Sequence, residues 1–399
     1  MTQVRDGSGP RIALLDTSDP GAPYGGQAAF LRAVAPYLDG VVSLYVGKSA
    51  GGRRCGMIEL GTRTFAYRRI ARTPAAGRRP LVPVRLKALF GVLRARARIL
   101  EDSDVIYAHS PEMALPFVRG RRGRALVVHM HGNANPLTHS RYRWARARPL
   151  QWAYRRLMCI VMRAADAVIA VDADGQRMCA SCLNSTSDTP IELVPTAVGD
   201  EWFDVGRHRQ DSPPDPGAPP AVVFVARLED GKGTDLLLDS LGLLMSDNPA
   251  VKATIAGEGS QRHEMEARSR DLRISGRVTF SGWVAPAGVM DLLSTATVMI
   301  LPSKSEGMPI SVLEALACGV PVVASAVGAL PEMIEDGVNG AIVCDRTAAA
   351  FAGAIETVLN HPPAPGIVSA SAEPYRARNV ARRLDVILRR AADTARGTA

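Results

Sequence analysis

The segment SEGMPISVLEALACGVPVVAS, residues 305–325, joins a polar loop to a helical pattern and then to a β-branched run. The apolar residues that follow Pro309 recur at helical spacing, and proline suits a first helical turn because its missing N–H has no partner there. Gly319 marks the end, so a helix is predicted over 309–318. The run VPVVAS (320–325) is typical of a buried strand. Loop, helix and strand in this order predict a parallel α/β sheet.

Two carboxylates stand in this segment, Glu306 just before the helix and Glu314 inside it. A helix N-terminus carries free N–H groups and the positive end of the dipole, so it binds anions such as phosphates. Taken alone, Glu306 is explained by compensation of that dipole. Glu314 lies among apolar residues, where a charge is costly unless it has a partner. The pair therefore points to a ligand at this end of the helix.

Short β-branched runs alternate with longer helical patterns throughout the chain, which predicts the α/β class with doubly wound parallel sheets. The first half contains the predicted strands RIALLD (11–16), VVSLYVG (41–47), DVIYAHS (104–110), ALVVHMHG (125–132), DAVIAVD (166–172) and IELVP (191–195). The second half contains AVVFVAR (221–227), KATIAGEG (252–259), VTFSGWV (278–284), TVMILPS (297–303) and VPVVAS, with a helix over 233–246.

A long helix is predicted over 84–100, where apolar residues recur at helical spacing. We expect this stripe to face the core, with most of the arginines of the segment turned elsewhere. The stripe consists of Leu86, Leu89, Phe90, Leu93, Ala97 and Leu100.

The segment QDSPPDPGAPP (210–220) holds five prolines in eleven residues and predicts an interdomain loop. We accordingly expect a first domain over 1–205, a second over 206–374, and a C-terminal helical segment over 375–399 that packs back on the first. A chain of 399 residues is long enough for two cores.

Charge divides the chain into unlike halves. Residues 1–199 carry 29 Lys and Arg against 14 Asp and Glu, whereas residues 200–399 carry 19 against 25. Two modules with different partners are therefore expected. The first residues are polar and no apolar run is long enough to span a bilayer, so a cytoplasmic protein is predicted. The Arg clusters lack the interleaved aromatics of a nucleic-acid module, which argues against nucleic acid as the partner.

Two basic residues follow the first strand of the second half, in VARLEDGKG (225–233). Arg227 ends that strand and Lys232 lies in the turn closed by Gly233. Ligands of doubly wound sheets bind outside the carboxyl ends of the strands. Two cations and a helix N-terminus at that edge can converge on a pyrophosphate.

With these landmarks in place, the sequence resembles the retaining glycosyltransferases of family 4. The resemblance rests on EGMPISVLEALACGVPVVAS as an E-x7-E element, and it is weaker at Gly25-Gly26 and HMHG (129–132). It implies the GT-B fold, in which two Rossmann-like domains face each other across a cleft. It also implies a nucleotide-sugar donor, a UDP- or GDP-sugar, bound mainly by the C-terminal domain with no metal required. The other landmarks are VARL with Lys232-Gly233, IAGEG (255–259), VTFSGWV and VGALPEMIEDGVNGAIV (327–343).

In the second domain, the resemblance implies that Glu314 binds the ribose hydroxyls of the nucleotide and that Glu306 binds hydroxyls of the transferred sugar. Backbone N–H groups at Gly307, at Met308 and beside Pro309 would bind sugar hydroxyls and phosphate.

The resemblance likewise implies that Arg227 and Lys232 neutralise the departing pyrophosphate, and that Gly25 and Gly26 let the first-domain backbone approach the phosphates. His131 matches a histidine that contacts the donor sugar. His129 points the same way along the strand, but with no third ligand nearby no metal site is predicted.

The acceptor is left open. The basic first half favours a peripheral enzyme that contacts an anionic membrane surface at the inner face and acts on a lipid-linked or envelope glycan acceptor. The alternative is a soluble enzyme that glycosylates a small natural product. Two other classes remain, a GT-B-fold sugar-nucleotide epimerase and a basic binding protein.

Overall fold

A computed structural model describes residues 9–22, 25–49, 53–73, 83–132, 137, 146–183, 187–212, 215 and 217–397. The described residues form two compact units. The first runs to Thr196 and resumes at Ala377, and the second is Ala197–Arg376.

The first unit is built on an eight-stranded sheet, parallel except at one edge. Its strands are β1 (Arg11–Leu15), β2 (Val41–Ser49), β3 (Cys55–Leu60), β4 (Arg63–Thr73), β5 (Val105–Ala108), β6 (Ala125–Met130), β7 (Ala167–Ala170) and β8 (Ile191–Leu193). They follow the order β3-β4-β2-β1-β5-β6-β7-β8. β5, β6 and β7 are buried at every residue, as expected of parallel strands covered on both faces.

Among the described residues, five α-helices connect these strands: α1 (Gly26–Val34), α2 (Val84–Asp102), α3 (Pro111–Ala114), α4 (Arg148–Ala164) and α5 (Ala173–Ala180). All six strands predicted in the first half are present. The antiparallel hairpin of β3 and β4 was missed, because four arginines in β4 obscure the strand pattern.

The orientation predicted for α2 is wrong for most of the stripe, although Leu100 is buried as expected. Leu86, Phe90 and Leu93 are exposed, and the other residues of α2 that enter the core are Ala88, Val92 and Ile99. The backbone of α2 approaches β4 closely at Gly91. A Cβ placed there would lie 1.9 Å from the carbonyl oxygen of Ile70, so position 91 has no room for a side chain.

The second unit contains a six-stranded sheet, parallel throughout, in the order β11-β10-β9-β12-β13-β14. Its elements along the chain are α6 (Asp200–Asp211), β9 (Ala221–Val225), α7 (Thr234–Asp247), β10 (Lys252–Ala256), α8 (Arg262–Asp271), β11 (Val278–Gly282), α9 (Pro286–Thr295), β12 (Val298–Leu301), α10 (Ile310–Ala317), β13 (Val322–Ser325), α11 (Leu330–Met333), β14 (Gly340–Val343), α12 (Ala348–Asn360) and α13 (Pro365–Ser371). The predicted fold class is thus confirmed.

The chain enters the second unit before the proline-rich segment 210–220, of which 213, 214 and 216 lie outside the described residues. Trp202 and Phe203 of α6 already belong to the core of the second unit. The proline-rich segment therefore connects α6 to β9 within that unit, and the predicted boundary near it lies too far along the chain.

The last helix, α14 (Ala377–Gly397), belongs to the first unit and buries Val380, Leu384 and Leu388. Its Asp385 accepts a hydrogen bond from the backbone N–H of Asp39 at 3.0 Å. Among the helices that the structure describes, none has the length and apolar character that crossing a bilayer demands.

Candidate active site

The loop between β12 and α10 carries the decisive segment of the sequence. β12 ends at Leu301 and α10 begins at Ile310. Pro309 is therefore the residue before the helix, whereas the sequence predicted that it lies in the first turn. Pro309 has φ −73° and ψ 121°, an extended conformation, and no side chain caps the helix. The first N–H groups of α10 therefore have no side-chain acceptor at the cap position, which suits an anionic ligand.

Glu306 lies in this loop and is 9 % exposed. One carboxylate oxygen, Oε1, accepts a hydrogen bond from Ser303 Oγ at 2.6 Å and another from Lys232 Nζ at 2.6 Å. A carboxylate removed from water is tolerated when it is paired and hydrogen-bonded. The structure thus brings together Lys232 and Glu306, which come from turns after two adjacent strands, β9 and β12.

Two glycines in left-handed conformations hold the loop against its neighbours. Gly233 has φ 68°, and a Cβ there would lie 2.0 Å from the carbonyl oxygen of Pro302. Gly328 has φ 57°, and a Cβ there would lie 2.2 Å from the carbonyl oxygen of Glu306. Only glycine permits both the backbone angle and the approach at these positions.

Backbone and side-chain hydrogen bonds complete the frame. Lys304 N donates to Gly231 O at 2.9 Å, and Ala329 N donates to Gly307 O at 3.0 Å. The guanidinium of Arg346 donates to Pro302 O at 2.7 Å. The sequence reasoning missed Arg346 and Gly328, because each acts through a contact distant in the chain. It also missed Ser303, because its bond to Glu306 depends on how the loop folds.

The remaining predicted residues of the second unit lie at the same edge of the sheet. Arg227 follows β9 and is exposed, and no ion pair joins it to a carboxylate of the part of the chain that the structure describes. Glu314 is the fifth residue of α10 and is half-buried, as are Gly307 and Met308. Arg227 and Lys232 therefore follow β9, Glu306 and Glu314 follow β12, and the contact of Lys232 with Glu306 joins the two segments.

In the first unit, the predicted glycines occupy the start of α1. Gly25 has φ 96° and precedes the helix, and Gly26 is its first residue. Both are exposed. Residues 23 and 24 lie outside the described part of the chain.

His131 lies one residue beyond β6, in a cluster of three imidazoles. Its ring stacks on that of His129 with centroids 4.1 Å apart, and the His109 ring lies 4.7 Å away. One ring nitrogen from each of the three lies within 4.8 Å of the others. The expectation that no third ligand lies nearby was therefore wrong. His109 follows β5, which is the neighbour of β6 in the sheet, a relationship that pairing of the two strands could have suggested.

Burial dominates the titration of this cluster. It lowers the pKa of His131 to about 3, with a further contribution from His109, and it lowers the pKa of His129 well below the ordinary range. Burial raises the pKa of Asp16, but the hydrogen bonds from His109 and Ser18 and the charge of His109 outweigh it, so the net shift is downward. His129 and His131 are therefore neutral at pH 7.

Comparisons with known proteins bear on both units. Residues 25–202 match the family described as Glycosyltransferase Family 4, and residues 207–373 match the Glycosyl transferases group 1 family. The chain belongs to the glycosyltransferases. The two matches meet between residues 202 and 207, close to the point where the second compact unit begins.

This glycosyltransferase is 36 % identical over 148 residues to the D-inositol 3-phosphate glycosyltransferase of Acidothermus cellulolyticus, a match that covers 35 % of this chain and 33 % of that one. The match thus spans about a third of the length of that curated relative. Two solved structures share the fold. Sucrose-phosphate synthase from Thermosynechococcus elongatus has a TM-score of 0.75 at 19 % identity, covering 96 % of this chain and 99 % of that one. Anabaena HepE in complex with UDP has a TM-score of 0.65 at 19 % identity, and the match covers 95 % of this chain and 99 % of that one. The expected GT-B architecture is thereby confirmed.

Proposed function

We propose that this chain is a retaining glycosyltransferase that moves a sugar from a nucleotide-sugar donor to an acceptor hydroxyl. The observation that carries the proposal is the contact of Lys232 with Glu306 at the loop leading into α10. A cation, a carboxylate and a helix N-terminus in one place match the parts of a sugar diphosphate: an anionic group and neutral hydroxyls. The relative HepE has been solved with UDP and with UDP-glucose, which supports a uridine donor.

Each group has a task that its chemistry suits. The carboxylates of Glu306 and Glu314 accept hydrogen bonds, so they suit the sugar hydroxyls and the ribose hydroxyls respectively. Negative charge develops on the diphosphate as the bond to the sugar breaks, and Arg227 with Lys232 would stabilise it without a metal ion. Gly25 and Gly26 remain candidates for a phosphate approach, and His131 for a contact with the donor sugar.

For the acceptor, we favour a lipid-linked or envelope glycan reached at an anionic membrane surface. The helix α4 supports this view, since it presents Trp152 and Ile160 to solvent beside Arg155, Arg156 and Arg163. Aromatic, aliphatic and basic residues on one exposed helix face are typical of interfacial binding. The sequence also offers the aromatic residues Tyr142 and Trp144 for such a surface, and both lie outside the described residues. A small natural product acceptor is the alternative.

The test is incubation with a panel of nucleotide-sugars, followed by measurement of nucleoside diphosphate release. Release with one donor and an acceptor, together with an α-linked product from an α-linked donor, would support the proposal. Conversion of the sugar without release would indicate an epimerase, and no turnover or binding of any donor would contradict the enzymatic proposal.

The site assignment is tested in the same assay with Glu314→Gln. Removing a charged hydrogen-bond acceptor should weaken donor binding roughly 10- to 150-fold. The matched control is Glu356→Gln, an exposed position on α12 in the same unit, which should leave donor binding unchanged.

A further inference from the structure

We infer that His109, His129 and His131 form a binding site for one divalent transition-metal ion, of the Zn²⁺ or Co²⁺ type, within the first unit. One ring nitrogen from each residue lies within 4.8 Å of the others. In a tetrahedral site with Zn–N distances near 2.0–2.1 Å, ligand nitrogens lie roughly 3.3–3.4 Å apart. A small inward rotation of the rings would close the site, without displacement of the strands that carry them.

The three Nε2 atoms of the cluster are the candidate ligand atoms. Nε2 of His109, of His129 and of His131 is buried, and none of the three has a hydrogen-bond partner among the described residues. A buried polar atom that is left unpaired destabilises the folded protein. Three such atoms in one cluster call for a shared partner, and a metal ion satisfies three lone pairs at once.

Two residues fix the rings from behind. His109 Nδ1 lies 2.6 Å from Asp16 Oδ2, and the carboxylate can only accept, so Nδ1 donates and Nε2 is left to bind. His129 Nδ1 lies 2.6 Å from the hydroxyl of Tyr107, which can accept from Nδ1–H in the same way. Carboxylate or hydroxyl partners on the far nitrogen are the usual support of histidine ligands.

The surroundings suit a borderline ion and not a hard one. The three ligands are imidazoles, which favour Zn²⁺, Co²⁺ or Ni²⁺, whereas Mg²⁺ and Ca²⁺ prefer oxygen. His109 and His129 are buried, but His131 is half-buried and adjoins the exposed Gly132, which provides access for the ion. Phe30 covers the His131 ring edge-on, with centroids 4.9 Å apart, and limits access to that side. The cluster lies entirely in the first unit and shares His131 with the proposed donor contacts, so metal binding is measured in the absence of donor.

The experiment is a titration of tag-free, EDTA-treated protein with Zn²⁺ in competition with a chromophoric chelator, and with Co²⁺ followed by its visible spectrum. We expect one ion per chain, a tetrahedral Co²⁺ spectrum and no competition from Mg²⁺. His131→Ala and His109→Ala should each weaken binding at least about 100-fold, since loss of a mere supporting residue already costs 10- to 100-fold.

Two control variants isolate the cluster. His263→Ala removes an exposed histidine of α8 and should bind like the wild type. Cys159→Ser tests the other soft ligands, because the sulfur atoms of Cys159 and Cys182 lie 2.6 Å apart, and it too should bind normally. A sulfur-to-cobalt charge-transfer band, no uptake by the wild type, or uptake unchanged in His131→Ala would overturn the inference. If His109→Ala does not fold, His131→Ala decides alone, because that side chain is only half-buried.

Discussion

Lys232 Nζ donates a hydrogen bond of 2.6 Å to Glu306 Oε1, although 74 residues separate the two in the chain. The ammonium and the carboxylate to which separate roles were attributed, one at the diphosphate and one at the sugar, therefore form an ion pair. Their side chains are 21 % and 7 % exposed, so water screens the pair only weakly. A diphosphate would give the ammonium a second anionic partner at the same edge of the sheet.

This pair should show strong energetic coupling. Lys232→Met leaves a buried carboxylate with less compensation, and we expect each of Lys232→Met and Glu306→Gln to lower the free energy of unfolding by about 1–3 kcal/mol. In chemical denaturation, the double variant should lose less free energy of unfolding than the two single variants lose together, and the difference should be about 0.5–3 kcal/mol. The control is the exposed pair Lys304–Asp230 of the same region, whose cycle of Lys304→Met and Asp230→Asn should couple by at most about 1 kcal/mol. Additive effects at Lys232 and Glu306 would contradict the pairing.

The close approach at Gly328 yields a second prediction. Gly328→Ala adds a Cβ that would lie 2.2 Å from the carbonyl oxygen of Glu306, so the loop must shift. Gly337→Ala is the matched control, since its φ of 76° is as strained but nothing lies within 4 Å of its Cβ. We expect Gly328→Ala to cost roughly 1–3 kcal/mol more than Gly337→Ala in chemical denaturation, and to weaken donor binding. Equal losses in the two variants would mean that the contact is unimportant.

Donor turnover should need no metal ion. In the proposed site, Arg227 and Lys232 would supply positive charge where the diphosphate leaves, a task that a bound metal ion can also perform. If the diphosphate is stabilised by these two cations, nucleoside diphosphate release should continue in excess EDTA. A strict requirement for Mn²⁺ or Mg²⁺, restored on adding the ion back, would contradict this assignment.

Asp385 makes stability depend on pH. Burial, together with the nearby Asp39, raises the pKa of this carboxyl on α14 to about 6 in the folded state, against 3.8 as the ordinary value. Below about pH 4 the carboxyl is protonated in both states. As the pH rises through about 6, the folded state must ionise this carboxyl, and burial disfavours the charged form. The stability that the protonated carboxyl contributes at low pH is therefore lost.

Asp385→Asn should therefore stabilise the protein by about 1–3 kcal/mol at pH 8 and by little at pH 4, because the amide cannot ionise. The amide oxygen can still accept the hydrogen bond from Asp39 N. Chemical denaturation at both pH values measures the difference. Asp393→Asn, at an exposed position of the same helix, is the control and should show no such dependence. A gain of equal size at both pH values would rule out ionisation as the cause.

Binding to membranes should depend on the exposed face of α4. Wild-type protein should sediment with anionic vesicles at low salt and release them as salt rises, because each basic residue near the surface contributes about 1 kcal/mol that salt screens. Trp152→Glu should abolish most of this binding. Trp283→Glu, an equally exposed tryptophan of the second unit, should not. Absence of binding at low salt would favour a soluble small-molecule acceptor.

The amino-acid sequence by itself determined the fold class and the position of most core strands. Runs such as those of β5 and β7 are apolar at every residue, and this pattern arises from local composition that needs no knowledge of neighbours. The E-x7-E spacing likewise identified the loop before α10 and the helix that carries Glu314. These features are short-range, so a single sequence contains them.

The tertiary structure alone decided which faces are buried and which side chains meet. Most of the stripe of α2 that includes Phe90 faces outward, and the close approach of the α2 backbone to β4 at Gly91 leaves no room for a side chain at that position. Asp16 and His109 are 93 residues apart in the chain and yet in contact at 2.6 Å, and Lys232 reaches Glu306 across two neighbouring strands. Periodicity reports how residues repeat along one element, whereas these contacts depend on the order in which strands pair, and that order is fixed only when the sheet assembles.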